Sequence, residues 1–570
     1  MIFELARPVS GSADLDRIRN LSRRVVDPTA YIKPVTQALR NSNAPDLAYP
    51  HTLNATQAWA LYEISRAQGL LGPIGVGHGK TGLDLLTPLV IPQCRTAVLL
   101  LPAALRDSIA IDYQRWARNF KLPNLFGYGG YSSSLPTLYP ISYDQLSRES
   151  SARLLETLKP DLIIADEAHL LRHRTSTRTK RVLRYFADNP RTRFCGWSGT
   201  LTSKSIKDYA HLSALALKNG SPLPLHTGTV EEWAGALDAN PRGIPVPSGA
   251  LDSLCRVGEP TRSGFRRRLV ETLGVVATEE ASVDCSIYFL ERKVGVPNVV
   301  NSALDALRET ACRPDGEEFV EASQVYRCGR ELASGFYYRW VFPRGEKKQE
   351  IDRWLEVRKE WHRELRSELK KNRPLMDSPL LCCRAAVRYR EGYKGDLPVW
   401  ESEWYERWLE VKHTVRPETE AVWLSDYLVE DCLQSEGIIW YEHTTFGQRL
   451  RSAGCRVFGP DAPGVEVENC EGRYAASILS HGTGRNLQYN QSSNLIGNYP
   501  SNLAAWEQLI GRTHRQGQPA DEVIVQVYRH TPELKEAFRR AREYARYQQE
   551  TLGSPMKLLQ ASYTFDPEEP

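Results

Sequence analysis

Three short stretches of this sequence carry side chains that together could handle a phosphorylated ligand. The first, "LLGPIGVGHGKTGLDLL", sets Gly75, Gly77 and Gly79 ahead of Lys80 and Thr81, then turns into a helical apolar pattern. Glycines let backbone amides close around an anion, and the N-terminus of the following helix adds positive potential. Lys80 can then reach terminal phosphates, and the Thr81 hydroxyl can ligate Mg²⁺. Ile74 stands where the full phosphate-loop pattern has its first glycine. The second stretch, "PDLIIADEAHLL", is an apolar strand that ends in Asp166 and Glu167. Paired carboxylates at a strand's C-terminal edge suit phosphoryl transfer. Asp166 would hold Mg²⁺, and Glu167 would orient or deprotonate the attacking water. The third, "WEQLIGRTHRQGQ", sets Arg512 and Arg515 three residues apart on one helical face, with no fitting carboxylate nearby. Their partner must lie elsewhere in the chain.

The elements that must position these residues follow from hydrophobic periodicity. Residues 1–45 read as an N-terminal extension of turns and short helices. Between about 46 and 225, apolar runs such as "TAVLLLP", "PDLIIADE" and "TRFCGWSGT" alternate with helical segments. That alternation predicts a parallel sheet flanked by helices, an α/β lobe. Residues about 226–420 read as a largely helical insertion. In it, Ile351, Trp354, Trp361, Leu365 and Leu369 form one stripe, and Trp400, Trp404 and Trp408 repeat the spacing. Such stripes pack helix on helix more readily than they stack bases. The α/β alternation returns over 421–530 in "EGIIWYEHT", "YAASILSHG" and "EVIVQVY", and 531–570 reads as a terminal helix with an acidic tail.

Composition narrows the class. A net charge of +4 over 570 residues excludes a histone-like polycation, so contacts with nucleic acid would come from local patches. Asp14 and Asp16 interrupt the start where a signal peptide needs an apolar core, and no apolar run approaches a membrane span. Eleven cysteines, with no C-x-x-C pair among them, point to neither a disulfide framework nor a zinc site. A reducing cytoplasm is expected, or the host cytoplasm for a viral source, and no membrane partner.

Taken with their order, the motifs resemble the superfamily-two helicases and translocases, the Swi/Snf-like branch in particular, over roughly 46–225 and 421–530. "GVGHGKT" is similar to motif I, "LLLPAAL" to motif Ia, and "DEAH" (Asp166 to His169) to motif II. "GWSGTLTS" resembles motif III through Ser198, Gly199 and Thr200, with Leu201 where a proline is usual. "LSHGTGRNLQ" resembles motif V, and "QLIGRTHRQGQ" resembles motif VI with the branch's H-R-x-G-Q ending. The resemblance implies two RecA-like lobes with ATP and Mg²⁺ between them. Gln57 would read adenine, and Gln508 would join the nucleotide site. Arg515 would be the arginine finger, with Arg512 contacting phosphate. His169, Ser198 and Thr200 would couple the sites.

The same resemblance implies a nucleic-acid grip through Ser142, Tyr143, Thr483 and Asn486. The basic run "RHRTSTRTKRVLR" adds Arg178, Lys180 and Arg181 as candidate contacts, although basic runs are commonly solvated faces. Glu368 and Lys370 form an E-x-K, but in a helical charge pattern rather than on a strand, which argues against a nuclease. The expected function is an ATP-dependent translocase on double-stranded or branched DNA, with little sequence specificity. A protein partner from replication, recombination or transcription would accompany it. The alternatives are a strand-separating DNA or RNA helicase and a nucleotide-gated binding module that scarcely hydrolyses ATP.

Overall fold

In a computed structural model of the chain, the residues described are 7–41, 52–106, 108–128, 131–202, 204–238, 246–278, 283, 285–371, 373, 376, 379–500 and 502–569. The expected boundary at 45–46 lies outside them. Six strands build the first sheet: β1 (Leu70–Gly72), β2 (Thr96–Leu101), β3 (Asn124–Leu125), β4 (Thr137–Ser142), β5 (Leu162–Asp166) and β6 (Arg193–Trp197). They run parallel in the order β1-β6-β5-β2-β4-β3. All five positions of β5 are buried. A parallel strand covered by helices on both faces needs an unbroken apolar run, which "LIIA" supplies. Gly72 of β1 and Asp166 of β5 both pair with Trp197 of β6. The three strand ends therefore share one edge, where open α/β sheets hold their ligands.

The later strands are β7 (Ser286–Arg292), β8 (Phe336–Val341), β9 (Glu418–Trp423), β10 (Ile438–Tyr441), β11 (Val457–Phe458), β12 (Tyr474–Ser477), β13 (Ser493–Ile496), β14 (Glu522–Tyr528) and β15 (Ser562–Tyr563). Seven of them form a second parallel sheet, ordered β11-β12-β10-β13-β14-β7-β15, while β8 and β9 pair as an antiparallel ribbon. The chain is thus α/β, with two helix-flanked parallel sheets matching the architecture of two RecA-like lobes.

Lobe membership differs from the sequence segmentation. Val230, Trp233, Leu251, Phe265 and Leu269 share a core with Leu71, Val98 and Ile163, so helices placed in the expected insertion complete the first lobe. β7 lies outside 421–530 yet pairs with β14 along seven residues. Periodicity reports what an element is, not which core it joins. The helical elaboration proper hangs between β8 and β9, on helices Lys348–Lys370, Pro379–Arg390 and Glu403–Val411. Trp361 stacks on Trp400 at 5.4 Å and Trp354 meets Trp408 at 5.4 Å, so the tryptophan stripes are packing, as their spacing implies. Glu368 is buried there with Lys371 and Arg373 as ion-pair partners, on a helix.

The terminal segment is part of the body. The helix Pro532–Leu552 starts among second-lobe core residues with Leu534 and Phe538, and its last residue, Leu552, lies in the first lobe's core. β15 then adds to the edge of the second sheet. Among the described residues no helix is long and apolar enough to cross a membrane.

Candidate functional site

The phosphate loop closes through left-handed backbone at Gly77 (φ +97°) and Gly79 (φ +73°), a region where a side chain is strained. A Cβ at Gly79 would stand 2.4 Å from Nε2 of Gln57. The helix Lys80–Val90 starts immediately after it. Together these form one wall of a cleft of about 330 Å³. Gly77, Gly79, Lys80 and Thr81 face the cleft from the first lobe, and Thr483, Asn486, Arg512 and Arg515 face it from the second. Gly75 does not line it. Its N–H donates to Oγ1 of Thr278 at 3.0 Å, which makes it a brace behind the loop rather than a ligand contact.

Gln57 borders the cleft and is largely occupied within the protein. In the capping box at Asn54, its Oε1 accepts the Asn54 N–H (3.0 Å), while its Nε2 donates to the Gly79 carbonyl (2.7 Å). It therefore steadies the phosphate loop, whatever it adds to base recognition.

Lys80, Asp84, Asp166 and Glu167 form a buried charge cluster. Nζ of Lys80 lies 3.4 Å from Oε1 of Glu167. Burial and the neighbouring Glu167 push the Asp166 carboxyl up to about 7. Burial opposes ionisation of Glu167 too, but Lys80, His169 and Ser198 outweigh it and hold that carboxyl below its ordinary range. Glu167 also sits at φ +53°, a strained conformation for a side-chain-bearing residue and of the kind retained at functional sites. Two carboxylates sharing one lysine leave room for a cation. Among the described residues no group of three or more His, Cys, Asp and Glu could hold a metal alone. The donor set instead suits Mg²⁺, which takes one or two protein oxygens and fills its octahedron with phosphate and water. Thr81 and Asp166 would supply those protein oxygens.

Ser198 connects this cluster to motif III. Its hydroxyl donates to Oε2 of Glu167 (2.9 Å), accepts the Thr200 N–H (3.1 Å) and lies 2.9 Å from Nδ1 of His169. The Thr200 hydroxyl is buried without a hydrogen-bond partner.

Across the cleft, the helix Leu503–Thr513 carries Arg512, and Arg515 follows its end. Both guanidiniums donate to the Arg485 carbonyl, Arg512 at 3.2 Å and Arg515 at 3.3 Å. Burial, together with the charge of Arg515, lowers Arg512 to about 9, which still leaves it a cation at neutral pH. Its charge couples to Glu167 of the other lobe. The arginine pair thus faces the phosphate loop, the partner sought from the sequence. Gln508 points elsewhere: its Oε1 accepts from the Thr483 hydroxyl (3.0 Å), and it lines a second cavity rather than the cleft.

That second cavity, about 1040 Å³, runs between the lobes from Pro102 and Tyr143 to Thr483, Asn502 and Ala505. Glu167 and Thr483 line both spaces, and His169 lines the second. Contacts within the protein occupy several of the residues expected to touch nucleic acid. Tyr143 is buried, and its hydroxyl donates to the Asp166 carbonyl (2.7 Å), so it supports the end of β5. Ser142 is likewise buried, as the cap that accepts the Gln145 N–H. Arg181 donates to the Leu146 and Arg148 carbonyls and is a strut of its own lobe. Asn486 faces the first cleft, that of the phosphate loop. Arg178 does line the cavity while donating to the Leu170 carbonyl (2.8 Å), and Lys180 is exposed outside it.

Sequence reasoning passed over several neighbours. Asp84, one turn after Lys80, accepts from Nε1 of Trp197 (3.2 Å), and burial and the neighbouring Asp166 push its carboxyl well above the usual carboxylate range. An acidic residue in the apolar helix "GLDLLTPLV" was its only sequence signal. Asp112, Arg115 and Trp116 close the cleft's far end, with no motif to mark them. Compared with known proteins, the chain matches no protein-family model and no curated protein sequence.

Proposed function

We propose that this protein is a nucleic-acid-dependent ATPase of the superfamily-two kind, which translocates on DNA with little sequence preference. One observation carries the reading: Lys80 and Thr81 of one lobe face Arg512 and Arg515 of the other across a single cleft. A nucleotide bound there would complete the site only when the lobes approach. Lys80 and the loop amides would hold the phosphates, and Glu167 would take a proton from the attacking water. Arg515 would meet charge developing on the γ-phosphate, a contribution on the order of 10³–10⁵ in turnover. Mg²⁺ held by Thr81 and Asp166 would neutralise phosphate charge.

The link from chemistry to movement would run through the His169, Ser198 and Glu167 hydrogen bonds, which span both spaces. The start of the helix Leu503–Thr513 lines the second cavity through Asn502, Ala504 and Ala505, and its positive end would suit phosphate contacts of no sequence preference. A second reading, strand separation, draws support from apolar side chains on that cavity. Leu479 is 84% exposed and Ile111 61% exposed, and both line it. Apolar groups suit unstacked bases better than a duplex backbone.

ATP hydrolysis measured with duplex DNA, single-stranded DNA and RNA decides among these. Stimulation greatest with duplex supports translocation on it, and greatest with single strands supports the second reading. No hydrolysis with any of the three would sink the ATPase reading.

A further inference from the structure

The segment from Tyr547 to Leu558 bonds to both lobes around the cleft, although no motif marks it. On the first-lobe side, Nε2 of Gln548 donates to the Gly199 carbonyl (2.5 Å), within the Ser-Gly-Thr turn. The Ser554 hydroxyl donates to the Pro73 carbonyl (2.5 Å), at the base of the phosphate loop. The Tyr547 hydroxyl donates to Asp238 (3.3 Å).

On the second-lobe side, the Lys557 and Leu558 N–H groups donate to the two carboxylate oxygens of Glu507, at 2.9 and 3.0 Å. Glu507 belongs to the same helix as Arg512, Leu503–Thr513. Nζ of Lys557 then lies 2.9 Å from Nδ1 of His514, the residue between Thr513 and Arg515. Lysine has only donors, so Nδ1 must accept and the ring proton must sit on Nε2. The far side of the ring agrees, because Nε2 lies 2.8 Å from the Cys285 carbonyl, which only accepts. His514 is thus pinned as one tautomer by two partners, Lys557 at Nδ1 and the Cys285 carbonyl at Nε2.

We infer that Lys557 is a positioning residue for the arginine pair, acting through His514. It holds the turn that carries Arg512 and Arg515 toward the phosphate loop, and the Tyr547–Leu558 segment sets how closely the lobes approach. The inference rests on the ATPase reading above. Distance alone favours such a role: a Cβ on Gly511 would stand 2.4 Å from Val76 Cγ1 of the phosphate loop and 3.6 Å from Cε of Lys557. The arginine helix, the phosphate loop and Lys557 therefore meet at one point. The charge of Lys557 is also felt by both arginines.

The test uses the full chain with Lys557→Met, which keeps the volume and removes the donor. Turnover of ATP with its best nucleic-acid activator should fall on the order of 10–100-fold, the cost of misplacing a catalytic group by a fraction of an ångström to one ångström. The KM for ATP should stay within about threefold, because the ground-state contacts of Lys80 remain. In ¹⁵N-histidine-labelled protein, the His514 Nδ1 signal should move as it loses its hydrogen-bond donor, while the Cys285 carbonyl keeps the proton on Nε2. Should Lys557→Met fail to fold, Gln548→Ala releases the segment from Gly199 without touching the Lys557–His514 bond, and it should lower turnover in the same sense. Lys557→Met turning over within twofold of wild type, or keeping the His514 spectrum unchanged, overturns the inference while leaving the ATPase reading intact. Wild type without ATP hydrolysis overturns the ATPase reading, and the His514 spectrum then still reports whether the tie exists.

Discussion

Glu167 is pulled in two directions, and the outcome sets its chemistry. Burial disfavours its charge, yet Lys80, His169 and the Ser198 hydroxyl keep it ionised, while Asp166 beside it is raised to about 7. A carboxylate held charged and oriented toward a phosphate loop is suited to ordering water. Glu167→Gln keeps the shape, turns one of the two acceptor oxygens that meet Lys80 and Ser198 into a donor, and cannot accept a proton. It should bind ATP nearly as wild type does and lose almost all turnover. Equal turnover in the two proteins would remove Glu167 from the reaction. Arg515 makes the complementary case from the other lobe. Arg515→Ala should retain ATP affinity within about tenfold, because a finger stabilises transition-state charge rather than the ground state. Arg515→Lys should recover little, since an ammonium lacks the planar fork. Normal stimulated hydrolysis by Arg515→Ala would show that another group serves as finger.

At the scale of elements, a helix start confronts a helix end: Lys80–Val90 begins after the phosphate loop, and Leu503–Thr513 ends with its arginines. The contact between them depends on Gly511 lacking a side chain, given the 2.4 Å approach to Val76. Gly511→Ala should wedge the lobes apart and cut turnover by about tenfold or more, with ATP binding changed less. Removing the clash from the other side, as Gly511→Ala with Val76→Ala, should restore much of that loss. This is the non-additivity expected of touching residues. A double variant as impaired as the single would mean that the alanine acts through the helix itself. The basic helix Thr177–Asp188 divides in the same spirit. Arg181 ties down its own lobe, so Arg181→Ala should lower the melting temperature. Lys180→Ala should leave the melting temperature unchanged and flatten the salt dependence of DNA binding.

At the scale of the whole molecule, burial leaves a pH signature. His78, His211, His443, His514 and His530 are all held down to about 4, chiefly by desolvation. An unfolded histidine takes its proton near 6.5. Each of the five therefore contributes stability that is full above that value and is lost as pH falls from about 6.5 toward 4. Asp84, Asp166 and Glu507 act in the opposite sense, since burial raises them and acid relieves the cost of keeping them charged. A single site separates the two effects. His211 lies 2.9 Å from the Leu171 carbonyl, a partner that glutamine can also reach. The gap in melting temperature between wild type and His211→Gln should shift against wild type as pH drops from 7 to 5. A gap independent of pH would mean that His211 titrates normally in the folded chain.

The sequence by itself determined the chemistry of each strand end. "ADEAH" and "GWSGT" are local patterns, in which the polar groups stand beside the apolar run that forms their strand, so β5 and β6 were legible, while the three-residue β1 ahead of "GVGHGKT" was not. The tryptophan stripes were legible for the same reason. Only the tertiary structure decided what lies opposite. Arg512 faces Lys80 across more than four hundred residues of chain. The helix Thr261–Val270 joins the first core, and the terminal helix begins in one core and ends in the other. The carbonyls that take the Tyr143 hydroxyl and the Arg181 guanidinium lie more than twenty residues away, so no local pattern shows those bonds. Periodicity records that a side chain is covered. It carries no record of what covers it, because the covering surface comes from residues far away in the chain.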